Sequence, residues 1–157
     1  AGFEFNCTAF EGSVDEGTGE VTTHKHVTAG DVGTALNPLQ VEMQDEGAAI
    51  MGLGHALYEQ ILMDDDGRIR NLGAIDYRIV TTKDMPESMV TGMIENADGP
   101  GPKGAKGVSE GAILCTAPAL AAAITDATGV AFTDLPLTPE RIWRALQPFT
   151  NTEERGT

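Results

Sequence analysis

The sequence predicts an α+β fold, and three stretches carry that prediction. Residues 3–10 and 20–28 alternate bulky with polar or small side chains across the turn chemistry of Asp15-Glu-Gly-Thr-Gly19, which is the pattern of a β-hairpin. Residues 37–63 open with Asn-Pro and carry apolar residues at helical spacing, the pattern of one long helix. Residues 112–127 are small and apolar and run into Gly129, the pattern of a buried helix with a glycine stop. The expected architecture is a β-hairpin and further strands packed with a long helix and a C-terminal helical segment.

Each element has its own signals. The second strand, Glu20-Val-Thr-Thr-His-Lys-His-Val-Thr28, is rich in β-branched residues, and Asp31-Val-Gly33 breaks it. Asn37 as N-cap and Pro38 at the first helical position start the long helix. Leu39, Met43, Ile50, Leu53, Leu57 and Ile61 give its apolar spacing, and the Asp64-Asp-Asp-Gly67 turn stops it near Met63. Gly47, Gly52 and Gly54 inside it cost about 1 kcal/mol each relative to Ala. Something therefore approaches this helix closely: another helix or strand, or a ligand. Residues 68–80 read as extended chain, 87–96 as another strand, and 97–111 as a loop with five glycines and two prolines. The second helix is expected to begin near Pro118. Thr138-Pro139-Glu140 starts a short third helix to about Leu146. Residues 1–149 show no repeat and no linker and are expected to form one domain, with 150–157 a polar tail.

Of the 157 residues, 41% are hydrophobic and 22% charged, as in globular proteins. A formal charge of −14 repels nucleic acid and anionic lipid, so neither is an expected partner. No apolar run is expected to approach the roughly 18 residues a membrane span needs, and no signal peptide is visible. The chain opens at Ala1-Gly2-Phe3 without an initiator Met, as a fragment, a processed chain or a trimmed one does. Cys7 and Cys115 lie in apolar surroundings and read as buried free thiols, which suits a cytoplasmic protein.

The loop Gly99-Pro-Gly-Pro-Lys-Gly-Ala-Lys-Gly-Val-Ser-Glu-Gly111 carries the most chemistry. Its glycines at 101, 104 and 107 are too few for a collagen repeat, and it lacks the Walker A pattern. It is either a flexible surface loop or an anion cradle. In the second reading its backbone N–H groups and the following helix N-terminus face an anion, with Lys103 and Lys106 adding charge. Glu110 stands at the mouth of the apolar helix. Burial there would raise its pKa and suit it to proton transfer; alternatively it only complements the helix N-terminus. Gln44 can hydrogen-bond a heterocycle or phosphate, or lie on a solvated face. His24 and His26, two apart on a strand, are expected to share a face, and a metal there would need further ligands. His55 reads as a packed helix residue. No protein-held metal centre is expected.

Asp31-Val-Gly33, Asn37-Pro38, Gln44-Asp-Glu-Gly47, Gly52-Leu-Gly54 and Ala56-Leu-Tyr-Glu59 follow one another in order. After them come Asn71, Asp76-Tyr77, Asp84-Met-Pro86, Lys106-Gly-Val-Ser-Glu110, Ala117-Pro118, Asp126-Ala127 and Leu135-Pro-Leu-Thr-Pro-Glu-Arg141. The series resembles the C-terminal part of the molybdopterin-binding large subunit of the xanthine dehydrogenase and aldehyde oxidase family. It runs from about residue 3 to 147. Ser109 stands where that family usually has Gly.

The resemblance implies a second molybdenum-binding region as the fold. It implies Glu110 as catalytic base, and Gln44, Gly104, Ala105, Lys106, Gly107, Val108 and Ser109 as contacts to a molybdenum-pterin cofactor, in bacteria commonly the cytosine dinucleotide form. The metal is then held by the pterin dithiolene. Glu110 takes the proton from a water-derived oxygen that attacks an electron-poor carbon of an aldehyde or N-heterocycle. Electrons leave through 2Fe-2S clusters and FAD on other domains or subunits. The implied partners are the remainder of the molybdenum-binding subunit, those redox subunits and a small-molecule substrate, and the fragment alone is expected to be inactive. Two other readings are an acidic assembly module with a degenerate site and an aromatic-thioester reductase of the same family.

Overall fold

The structure, a computed structural model, describes residues 3–147; the polar tail expected at 150–157 lies outside the described residues. The hairpin forms as β1 (Asn6–Val14) and β2 (Val21–Asp31), paired antiparallel. Asp15 holds the turn by accepting from the N–H groups of Gly17 and Thr18. The chain then forms α1 (Pro38–Leu57), β3 (Ser88–Ile94), α2 (Gly111–Thr128) and α3 (Pro139–Leu146). The described strands make one sheet of order β1-β2-β3, with β3 parallel to β2. A parallel neighbour needs a crossover, which α1 and residues 58–87 supply. The fold is α+β, as expected.

Helices α1 and α2 pack on each other, and α2 packs on β1. The core is Leu53, Ala56 and Leu57 of α1 with Ala117, Leu120 and Ile124 of α2, closed by Leu137 and Ile142. Gly52 is the crossing point: a Cβ there would lie 2.6 Å from Cβ of Thr116. Of the two approaches expected for the helix glycines, Gly52 meets a helix, whereas a Cβ on Gly47 would meet nothing within 4 Å.

Several expectations are corrected. A β-bulge lies in β2: Glu11 pairs with Lys25 and Gly12 with Thr23, leaving His24 as the extra residue. The bulge resets the alternation, so His24 and His26 do not share a face. His24 bonds Ser13 and Glu87 near the surface, while His26 is fully buried against Phe10. Helix α1 stops at Leu57, not Met63, because the N–H groups of Tyr58 and Glu59 both fold back onto the Gly54 carbonyl. Residues 68–80 do not run as extended chain throughout: beyond a single Met63–Ile69 bridge the chain turns at 73–77, and it is fastened by Asn71 to Gln60 and Leu62 and by Tyr77 to Glu59.

Helix α2 begins at Gly111, with Pro118 inside it. The carbonyl that the proline leaves without a donor is that of Leu114, on the exposed side. At 18 residues and mean hydropathy 1.3, α2 is by length and composition alone apolar enough to cross a membrane. That overturns the expectation for apolar runs, although here the helix contributes to the core. Leu39 and Met43 are exposed, because the buried stripe at the start of α1 is Val41, Asp45 and Ala48. His55 is exposed on the outer side of α1. Cys7 is an exposed thiol on the face of β1 turned away from the helices, and Cys115 is partly buried with Sγ 2.9 Å from Thr8 Oγ1.

Candidate functional site

The glycine-rich loop docks on the end of β2. The N–H of Lys106 donates to the Val32 carbonyl at 3.0 Å, and that of Ala97 to the Gly33 carbonyl at 2.9 Å. Gly33 must be glycine: its φ is +69°, and a Cβ would lie 2.2 Å from the Gly104 carbonyl oxygen. Within the loop, Gly99 donates to Gly104, Gly101 to Ala105, Gly104 to Gly101, and Ala105 to Pro102. Thr34 Oγ1 donates to the Lys103 carbonyl at 2.7 Å. The loop is thus a knot tied to the sheet and not a flexible strap.

Beyond Lys106 the backbone opens. Among the described residues no acceptor meets the N–H groups of Gly107, Val108, Ser109, Glu110, Gly111 or Ala112. The last two begin α2, where the helix N-terminus adds positive potential. Glu110 is the N-cap residue, but its side chain makes no capping hydrogen bond and is exposed. The burial expected for it is absent in this chain.

The structure brings four of the expected cofactor contacts together. Gln44, Ala105, Lys106 and Val108 line one cavity of about 430 Å³, shared with Asn37, Gln40 and Met43. Gly104, Gly107, Ser109 and Glu110 are not among its lining residues. Gly104, with φ +80° against the Ala97 backbone, serves the turn, and its N–H is satisfied inside the loop. Gly107 is open, since a Cβ there would meet nothing within 4 Å.

Lys106 departs from its expected role. Its ammonium lies 2.8 Å from Asp31 and 2.9 Å from Asp98, and its side chain is 5% exposed. Hydrogen bonding to Asp31 and then Asp98 raises the lysine pKa. The same bond holds the Asp31 carboxyl below the usual carboxylate range. This charge is matched within the chain.

Sequence reasoning missed a second feature. Asp45, beside Gln44 but on the buried side of α1, is fully buried, and neither carboxylate oxygen has a hydrogen-bond partner among the described residues. Burial first, and then the nearby Glu4 carboxylate, push its pKa up to about 6. Glu4 and Asn6 lie against Gly111, directly after Glu110. The signal was present: an acid in the apolar stripe Val41, Asp45, Ala48, Gly52 at helical spacing. Among the described residues no group of three His, Cys, Asp or Glu side chains is placed to hold a metal ion.

Fold and site together define a cofactor-binding unit: an α+β layer that offers an open helix N-terminus and a run of free N–H groups beside a cavity. The chain belongs to the molybdopterin cofactor-binding domain family, whose model matches residues 1–86. Gln44 lies inside that match and Glu110 beyond it. The chain is 36% identical, over 140 residues, to a xanthine dehydrogenase molybdenum-binding subunit of Escherichia coli O157:H7, covering 88% of this chain and 18% of the relative. It is 35% identical over 156 residues to subunit gamma of the 6-hydroxypseudooxynicotine dehydrogenase complex of Paenarthrobacter nicotinovorans, covering 96% and 19%. The aldehyde oxidoreductase of Desulfovibrio gigas superposes with a TM-score of 0.82 at 28% identity, covering 91% of this chain and 15% of that one. The chain therefore spans less than a fifth of these relatives, and the resemblance to the xanthine dehydrogenase and aldehyde oxidase family is borne out.

Proposed function

We propose that this chain is the C-terminal part of the molybdopterin-binding subunit of a molybdenum hydroxylase, which oxidises an aldehyde or N-heterocyclic carbon with oxygen from water. The observation that carries the reading is the run of free N–H groups from Gly107 to Ala112, with Glu110 in its midst and Gln44 across the adjoining cavity. Such a run fits the phosphate of a pterin cofactor, because amide dipoles and the α2 N-terminus all present positive potential. When bound, the molybdenum-pterin cofactor, here taken as the cytosine dinucleotide form, supplies the two-electron oxidising centre. The chain does the rest. Gly107, Val108 and Ser109 bind phosphate through their backbone, with the Ser109 hydroxyl able to add a donor. Gln44 offers its side-chain amide to the cofactor. Glu110, held at the end of the cradle, accepts the proton from the attacking water-derived oxygen.

Residues 1–149 act in this reading as one cofactor-binding unit that is incomplete without the remainder of the subunit. Exposed Ile61, Met63, Leu72, Ile75 and Ile79 support that, since apolar side chains concentrated in one segment mark a surface that another covers. Iron–sulfur clusters and FAD then sit on other domains or subunits. The purified chain alone should retain no molybdenum in elemental analysis; stoichiometric metal would break the reading. The decisive experiment on the base is Glu110→Gln in the intact, cofactor-loaded subunit. It should keep its molybdenum while the reductive half-reaction slows by about 10²–10⁴-fold. A rate within a few-fold of the parent would remove Glu110 from the mechanism.

A further inference from the structure

We propose that Asp31 and Asp98 are positioning residues for the cradle: they capture the Lys106 ammonium and thereby hold the backbone from Gly107 onward in the orientation that binds an anion, with Lys106 itself making no contact to that anion. The proposal rests on the cradle reading above and concerns what holds the cradle in place.

Five observations carry it. Asp31 is the last residue of β2 and pairs with Ile94, the last of β3. Its carboxylate is oriented from both strand ends, by the Gly33 N–H at 3.2 Å and Asn96 Nδ2 at 3.3 Å. The lysine that reaches it does so along a channel where Gly33 leaves room: a Cβ there would lie 3.1 Å from Lys106 Cγ. The ammonium then sits between two carboxylates, 2.8 and 2.9 Å away. Finally, among the described residues the last loop N–H with a partner is that of Lys106, and the first without one is that of Gly107. The clamp thus closes where the cradle begins.

Charge decides against Lys106 as a ligand. Two carboxylates and one ammonium leave the clamp with one net negative charge, which does not attract phosphate. Attraction has to come from the amides and the α2 N-terminus. The two roles for Lys106 predict opposite outcomes when the carboxylates alone are neutralised. If Lys106 is a ligand, freeing its ammonium keeps or raises cofactor content. If it is the anchored end of a clamp, the cradle loses its hold and content falls.

The test uses the intact molybdenum-binding subunit, with molybdenum and pterin per subunit as the readout and circular dichroism of the cofactor-free protein as the check on folding. Lys106→Met should lower cofactor content about 10- to 100-fold, the range seen when partners that orient binding groups are lost. The double variant Asp31→Asn, Asp98→Asn should fall to within about threefold of Lys106→Met on the same scale. A double variant with full cofactor, or a Lys106→Met subunit with full cofactor, overturns the proposal. Should Lys106→Met fail to fold, Asp98→Asn decides, since this side chain is 59% exposed. A two- to fivefold loss, about the weak end of that range, supports the clamp, and unchanged content overturns it. Val108→Pro separates the two levels, because it deletes one free N–H and leaves the clamp intact. Full cofactor in Val108→Pro sinks the cradle itself. Depletion there, with full cofactor in the double variant, sinks only the clamp.

Discussion

At the start of α1, Asn37 turns its side-chain oxygen onto the Gln40 N–H, and Pro38 brings no N–H of its own. At the start of α2, Glu110 occupies the same N-cap position without any such bond, and the N–H groups from Gly107 to Ala112 stay open. The start of α3 repeats the first solution, with Thr138 capping Arg141 before Pro139. Helix starts that serve only the fold satisfy their donors locally, because each orphan amide weakens the end. A start left open is less stable alone, and a ligand that completes it recovers that loss as binding. The difference is what supports placing the proposed cradle at the start of α2.

Four experiments break or sharpen that contrast, beginning with the largest effect. Glu110→Gln should slow the half-reaction by the two to four orders of magnitude given above, whereas Thr138→Ala at the start of α3 should leave the rate of cofactor-loaded subunit unchanged; equal losses would erase the distinction between the two ends. Next is the buried acid behind them. Folding raises the Asp45 pKa from the usual carboxylate range to about 6, so the folded state favours the protonated form. Its stability is full below pH ~4, falls as pH rises through ~6, and stays lower above that. Asp45→Asn should therefore stabilise the cofactor-free subunit by on the order of 2–3 kcal/mol at pH 8 and by little at pH 4. A pH-independent difference in thermal midpoint would show that Asp45 is ionised throughout.

Third, Thr138→Ala should cost about 1 kcal/mol of stability in denaturant titrations, with cofactor content intact. The smallest effect is the sharpest for the contrast: Glu110→Ala should change the stability of the cofactor-free subunit by less than about 0.5 kcal/mol, because no capping bond exists to lose. A loss near 1 kcal/mol would make Glu110 an ordinary cap.

Most of the elements were legible because their signals are local. Asn37-Pro38 and Thr138-Pro139 name their own helix starts, and Gly129, in the left-handed region at φ 73°, closes α2 as read. The errors fall where a distant residue overrode a local pattern. The bulge at His24 is created by pairing with Glu11 and Gly12, which nothing in the strand itself reveals. Pro118 resembles a helix start, yet α2 runs through it because Gly111 is already packed against Glu4 and Asn6 of another segment. In the site, Gln44, Ala105, Lys106 and Val108 were picked out and do converge on one cavity. The ion pairs of Lys106 were not legible because its two carboxylates lie 75 and 8 residues away along the chain.

The sequence by itself determined the α+β class, the hairpin, the capped helix starts, the family and the residues at which chemistry is to be sought. These follow from periodicity, cap and turn residues, and an ordered series of short motifs, all readable along one dimension. Tertiary structure alone decided which amides are open, where Lys106 places its charge and that Asp45 is buried without a partner. Each of those depends on which groups meet after the chain has folded. An amide's partner or a carboxylate's solvation is a property of the space around it, and residues far apart in sequence fill that space.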